Sequence, residues 1–277
     1  MSLLRRNVQL GPRLKSSSWR KVAIGTWADA KDPSVYGTLE VEVDATLAYL
    51  EKLRAETGTK VTLTHFVGIA VARCIRENPS INRLQRWGGL YQRKNVDVFF
   101  QVATDPDGND LSGTVIREAD RLTSSALAKQ LEERASAIRT KGDGDYKKMK
   151  GTIGMLPGWF VGKFLDIGSF LLYGLNLWGS WLGSPRDSFG SVMVTSIGSL
   201  GLDLAFAPLV PYSRCPMVIA VGAAQKRPVV QGDQVKVANV MRICCTFDHR
   251  LIDGVHAAKM TKFLKEFFAN PELDRKV

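Results

Sequence analysis

Apolar and polar residues alternate from Tyr36 to Asp44, with Leu39, Val41 and Val43 on one side and Glu40 and Glu42 on the other. A period of two predicts a half-buried strand. Asp44 stands where an N-cap is expected, and Leu47, Leu50 and Leu53 recur at helical spacing until Gly58 stops the helix. Residues 63–77 are apolar on nearly every side, which predicts a buried helix. His65 lies near its start, where a packed or capping role is expected. Strands are predicted at 89–93, 96–104 and 114–117, with Asp105-Pro106-Asp107-Gly108 as turn chemistry. Thr123 or Ser124 caps a helix reaching Ile138, in which Leu127, Leu131 and Ala135 share a face.

The pattern turns strand-like again from Phe189. Strands are predicted at 191–197, 217–221, 228–230, 234–237 and 240–247, with Gly232-Asp233 as a hairpin signal. A last helix, 255–268, sets Ala257, Met260, Phe263, Leu264 and Phe267 on one side. Strands and helices interleave early, and strands dominate late. That order predicts an α+β fold, a mixed sheet covered by helices.

Composition changes this picture little, and charge changes it more. At 277 residues, 45% apolar and 23% charged, the chain is ordinary globular material with enough residues for a sizeable core. The net charge is +11. Arg5, Arg6, Arg13, Lys15, Arg20 and Lys21 stand in the first 21 residues with no acid among them. Residues 1–18 lack any apolar period and are read as a flexible or docking arm. Such an arm is solvated, or it meets anionic lipid or a phosphorylated cofactor. No recognition motif accompanies it, so nucleic acid is not expected. The start lacks the apolar core of a secretory signal, and a cytoplasmic location is expected. Cys74, Cys215, Cys244 and Cys245 show no metal-ligand spacing, so reduced thiols and no metal are expected. Cys244 and Cys245, adjacent in a strand, point to opposite faces.

Candidate chemistry gathers near the C-terminal end. Of three histidines, His65, His249 and His256, one follows directly on an apolar strand: Phe247-Asp248-His249-Arg250-Leu251-Ile252-Asp253-Gly254. A near-neutral imidazole suits proton removal from a thiol or hydroxyl. Asp253 could hold the loop through an ion pair with an N-terminal cation, and Gly254 would permit a tight turn into the next helix. On spacing alone, a structural Asp-Gly turn and a catalytic base both stay open.

FDHRLIDG followed by an apolar helix resembles the signature of the dihydrolipoyl acyltransferase components of 2-oxoacid dehydrogenase complexes. DGVHAAKM is similar to the corresponding stretch of chloramphenicol acetyltransferase, which shares that fold. TLEVEVDATLAYLEKLR resembles the family's first strand and helix, the block from NRLQRWGG to LAKQL its centre, and SVMVTSIGSLGLDLAFAPLVP with MVIAVGA a later stretch. The resemblance spans about 20–145 and 189–270. It implies a chloramphenicol acetyltransferase-like two-layer sandwich. It also implies direct acyl transfer between coenzyme A and a thiol or hydroxyl acceptor, with no acyl-enzyme. His249 is then the general base. Asp253 is its structural neighbour, paired with a basic residue such as Arg20. A hydroxyl stabilises the oxyanion. Anchoring on Ala205–Pro208 makes that hydroxyl Ser196, beside Thr195; anchoring on Ser199-Leu200-Gly201 leaves Ser199. The family's site lies between subunits of a trimer. Its larger cores form through an apolar C-terminus, and the polar 269–277 end predicts none here.

Two features depart from the family. The chain begins almost at the catalytic domain, so no lipoyl group is expected on it and the acceptor stays open. Residues 152–186 are read as an apolar helical insertion in a 19–277 catalytic domain; Ile167 to Pro185 carries no charge. Three readings remain for it: a buried or trimer-contact helical hairpin, an interfacial membrane hairpin, or a lid for a hydrophobic substrate. In the second, Trp159, Trp178 and Trp181 meet the headgroups and Lys147, Lys148 and Lys150 the acidic lipid, and the protein is peripheral to the membrane. The alternative to an active enzyme is a silent acyltransferase-fold scaffold or membrane-attached assembly protein.

Overall fold

The computed structural model describes residues 5–15, 32–103, 111–141, 157–180 and 185–277. The chain opens with two short strands, β1 (Arg5–Arg6) and β2 (Leu10–Arg13), followed by the predicted β3 (Ser34–Glu42). Helices α1 (Asp44–Thr57) and α2 (Leu63–Glu77) come next, then β4 (Arg83–Arg86), β5 (Gly89–Arg93), β6 (Val98–Ala103) and β7 (Leu111–Ile116). After α3 (Ser124–Lys141) come α4 (Gly158–Ser169), a π-helical turn (Phe170–Gly174) and β8 (Leu177–Trp178). The last third holds β9 (Val192–Ser196), β10 (Met217–Val221), β11 (Gln225–Gln231), β12 (Gln234–Asp248) and α5 (Gly254–Ala269).

A seven-stranded mixed sheet carries the fold: β11-β12-β10-β9-β6-β7, with β3 on the other edge of β12. Beta-9 runs parallel to both β6 and β10, and β12 runs antiparallel to β10 and β3. Helix α2 is the hub. Every residue from Phe66 to Ile75 is buried, which matches its all-round apolar sequence. Phe66 meets Phe267 and Phe268 of α5 with ring centroids 5.1 and 5.2 Å apart. Gly68 lets α2 close on the sheet, since a Cβ there would lie 2.4 Å from Phe100 Cζ. The opposite face of the sheet carries a smaller cluster, Ile197, Ala220 and Cys244, while Cys245 faces the main core. The two adjacent cysteines therefore diverge as strand geometry requires.

Three expectations need correction. Asp44 is the first residue of α1, not its N-cap. Its carboxylate accepts instead from Asn239 N–H at 2.9 Å, just where β3 stops pairing with β12. The two strands expected at 234–237 and 240–247 are one continuous β12, because β11 pairs its first half and β3 takes over at Val240. The arm is not patternless in space: β1 pairs with β8 and β2 with β5. Asn176 mimics a strand partner there, accepting from Val8 N–H at 2.7 Å and donating to Val8 C=O at 3.2 Å. Backbone and amide pairing of this kind leaves no hydrophobic period to read. Third, 157–180 is one helix, a π turn and a short strand, not two helices. It lies on its own chain, with Tyr173 packed on Val8 and Leu84. Among the described residues no helix is long and apolar enough to cross a membrane. The turn expected at 105–108 and Trp181, Lys147, Lys148 and Lys150 lie outside the described residues.

His65 is a capping residue. It occupies the third position of α2, and its Nδ1 accepts from Thr62 N–H at 3.1 Å. Burial lowers its pKa to about 4. The unfolded imidazole takes its proton near 6.5, so between those values only the unfolded chain is protonated and stability falls as pH falls. His65→Gln keeps the cap, because glutamine accepts the same hydrogen bond. Its denaturation midpoint is expected to fall less between pH 6.5 and 4 than that of the parent; parallel curves in urea titrations at both pH values would remove His65 as the cause.

Candidate functional site

The β12 strand ends at Asp248, and the chain turns at once. Leu251 N–H and Ile252 N–H both donate to Asp248 C=O at 2.9 Å, and the Leu251 and Ile252 side chains are buried in the main core. This buried turn holds His249 between β12 and α5. The backbone of His249 is tied to the start of β3, its N–H donating to Pro33 C=O at 3.0 Å. The ring is fixed as well: His249 Nδ1 lies 3.0 Å from Ile252 C=O. A carbonyl only accepts, so Nδ1 carries the hydrogen and Nε2 is the basic nitrogen. That is the tautomer a general base needs, set by the main chain of the same turn.

Asp248 and Arg250 flank the histidine and were not anticipated. Asp248 is buried, and Arg250 forks onto it, Nε to Oδ1 at 2.9 Å and Nη2 to Oδ2 at 2.7 Å. Arg250 N–H also donates to Asp248 Oδ1 at 3.0 Å. A bidentate pair across positions i and i+2 stiffens the turn that carries His249. The alternation Asp-His-Arg was the available signal.

Asp253 is the N-cap of α5. Its Oδ1 accepts from His256 N–H at 3.2 Å and lies 2.7 Å from His256 Nδ1. Asp253 N–H also points at that nitrogen, at 3.3 Å. The ring nitrogen cannot both donate and accept. The shorter, charge-assisted contact, with Nδ1–H donating to the carboxylate, is the stronger one. The expected partner of Asp253, Arg20, lies outside the described residues; His256 stands three residues on, at capping-box spacing. Gly254 is not needed for a tight turn, because its φ is not in the left-handed region and a Cβ there would meet open space.

Ser196 ends β9, and Ser199 follows in a 3-10 turn. Ser199 donates its hydroxyl to Ser196 C=O at 2.9 Å, whereas Ser196 Oγ accepts from Ser199 N–H at 3.3 Å. The Ser199 hydrogen is therefore committed to the main chain, while Ser196 retains one to donate.

The two halves are not brought together within one chain. Ser196 pairs with Val221 at the C-terminal end of β10, whereas Asp248, next to His249, bonds Pro216 just before its N-terminal end. At roughly 3.3 Å per residue, the length of β10 keeps them about 16 Å apart. Cavities of 480, 1010 and 260 Å³ lie elsewhere, and none of the three is lined by His249 or Ser196. Other nucleophiles are poor candidates: burial pushes the Cys74, Cys215 and Cys245 thiols up to about 12. Among the described residues no group of three or more His, Cys, Asp or Glu is placed to hold a metal.

Comparison with known proteins follows this geometry. The family model described as 2-oxoacid dehydrogenases acyltransferase (catalytic domain) matches residues 12–153 and 186–274, leaving 154–185 unmatched. A curated relative, the dihydrolipoyllysine-residue acetyltransferase component of the acetoin cleaving system of Bacillus subtilis (strain 168), is 24% identical over 95% of this chain. The chain spans 56% of that protein. Among solved structures, the cubic core of the pyruvate dehydrogenase multienzyme complex superposes with a TM-score of 0.66 at 21% identity, covering 95% of this chain and 99% of that one. Chloramphenicol acetyltransferase superposes at 0.51 with 16% identity, covering 91% of this chain and 96% of that one. The fold is thus the mixed α+β sandwich expected from the sequence.

Proposed function

The chain belongs to the family of 2-oxoacid dehydrogenase acyltransferase catalytic domains, and on that premise we propose that it moves an acyl group between coenzyme A and a thiol or hydroxyl acceptor. The relative's action on a dihydrolipoyllysine residue makes a dihydrolipoyl thiol the first acceptor to test. His249 Nε2 takes the proton from the acceptor. The sulfur or oxygen then attacks the thioester carbon, giving a tetrahedral oxyanion, to which the Ser196 hydroxyl donates. The carbon–sulfur bond to coenzyme A breaks, and the departing thiolate recovers the proton from the imidazolium. No acyl-enzyme forms. The observation that carries this reading is the His249 Nδ1 contact with Ile252 C=O, which directs basicity to Nε2.

A histidine and a hydroxyl about 16 Å apart in one chain cannot act on one carbonyl, since catalytic contacts are about 3 Å. In this reading the hydroxyl comes from a second copy, and a closed trimer supplies three equivalent sites through one head-to-tail interface. An apolar edge supports it: Leu200, Leu202, Leu204 and Phe206 follow the serines and are all exposed. Thiol release from acetyl-coenzyme A with dihydrolipoamide tests the scheme. Ser196→Ala is expected to lose about 10²–10³ in kcat with little change in KM. Co-refolding the Ser196→Ala and His249→Ala proteins is expected to restore about one quarter of the sites, each pairing an intact histidine with an intact serine. A mixture as inactive as its components sinks the two-copy site, and an undiminished Ser196→Ala enzyme transfers the role to Ser199.

A further inference from the structure

The stretch that the family model skips forms, with the β4–β5 hairpin, an exposed apolar face. Trp87 and Gly88 join β4 to β5 with φ of 51° and 65°. Two positive φ values define the type I′ turn, whose first position is normally Asn, Asp or Gly. A tryptophan there is sterically disfavoured, yet this one is held firmly. Its Nε1 donates to Gly174 C=O at 2.7 Å, and Arg86 Nε donates to the same carbonyl at 2.6 Å. The Trp87 ring meets Phe170 edge-on at 5.6 Å. Trp87 is nonetheless 61% exposed, and Ile167, Phe170 and Leu175 are exposed along the helix and π turn beside it.

We propose that Trp87, Ile167, Phe170 and Leu175 form a docking surface for an anionic lipid bilayer. Charge commits the face to that partner. Between Arg83 and Arg93 there is no acid, and between Pro157 and Ser180 only Asp166. Lys163 is exposed one helical turn before Ile167. Arg6 is exposed on β1, which pairs with β8, and Arg13 lies beside the hairpin turn at Gly89. Exposed aromatic and aliphatic side chains rimmed by cations are the signature of an interfacial element, with the indole at headgroup level. The face is a hairpin tip beside a helix, and none of the three cavities is lined by its residues, so it does not offer a groove to a free acyl chain. A two-fold pairing of copies through it would set these cations against their own duplicates. Among the described tryptophan side chains the exposed one is Trp87 of the hairpin; Trp178, expected at the lipid from the sequence, is half-buried in β8.

Flotation of the whole chain with vesicles tests the proposal. The protein is expected to rise with vesicles containing phosphatidylglycerol, to remain below with pure phosphatidylcholine, and to be released as salt is raised. Phe170→Glu and Ile167→Glu are each expected to weaken flotation at least tenfold while thiol release is unchanged. Failure to float with phosphatidylglycerol vesicles overturns the proposal, as does undiminished flotation of both variants or equal flotation with neutral lipid. A smaller particle for Phe170→Glu in sedimentation would overturn it in favour of a contact between copies. Flotation reads where the protein is, so its outcome is separate from that of the acyl-transfer assay.

Discussion

Replacing His249 with alanine is expected to lower the turnover of thiol release from acetyl-coenzyme A by about 10²–10⁴-fold, the usual worth of a positioned general base. The Michaelis constants should change little, because the imidazole acts on the proton in flight and not on bound coenzyme A. The fold should survive. The turn is held by Asp248 C=O, by the Arg250–Asp248 fork and by buried Leu251 and Ile252, none of which needs the imidazole. Stopped-time thiol assays on both proteins, with matched circular dichroism, check this. Equal rates would end the enzyme reading and leave the scaffold reading in its place.

The second large effect is on stability. Asp187→Ala is expected to cost about 3–5 kcal/mol, because it strands a buried guanidinium. The Arg93 side chain is 2% exposed, and its only ion-pair partner among the described residues is Asp187, at 2.5 Å. Among the described residues its Nε and Nη2 have no hydrogen-bond partner. Asp187 N–H also donates to the Asn7 side chain at 2.8 Å, and Arg117 donates to Asp187 C=O at 3.1 Å. One residue thus joins the N-terminal arm, β5 and the chain entering β9. At about 2–4 °C per kcal/mol for a chain of this size, the melting temperature should drop by roughly 10 °C. A double change, Arg93→Met with Asp187→Ala, removes the stranded charge and should recover part of the loss in calorimetry. A single Asp187→Ala protein melting with the parent would show that the pair adds nothing.

Much of the secondary structure was legible along the chain. Alternation marked β3, all-round apolarity marked α2, and Gly58 stopped α1 in the left-handed conformation as a terminating glycine does. The misses have physical causes. Beta-1, β2 and β8 are made by backbone pairing and by the Asn176 amide, and a hydrogen bond between main chains leaves no trace in side-chain period. Beta-4 was missed because its residues, Arg83-Leu84-Gln85-Arg86, are mostly polar. Asp44 stood at the expected helix start, but a long-range contact to Asn239 claimed its carboxylate. Asp253 was expected to hold the loop; it caps α5, and its Oδ1 also meets His256 Nδ1.

For the candidate site, the sequence by itself determined which residues are candidates for the chemistry and on which elements they stand. His249 follows a buried strand, and Asp253 starts a helix, because those constraints act over a few residues. Only the tertiary structure decided that His249 and Ser196 do not meet in one chain. That outcome rests on strand direction: β9 runs parallel to β10, β12 runs antiparallel, and so their C-terminal ends emerge from opposite edges of the sheet. Direction is set by long-range hydrogen-bond register, which no local pattern of hydrophobic and polar residues encodes.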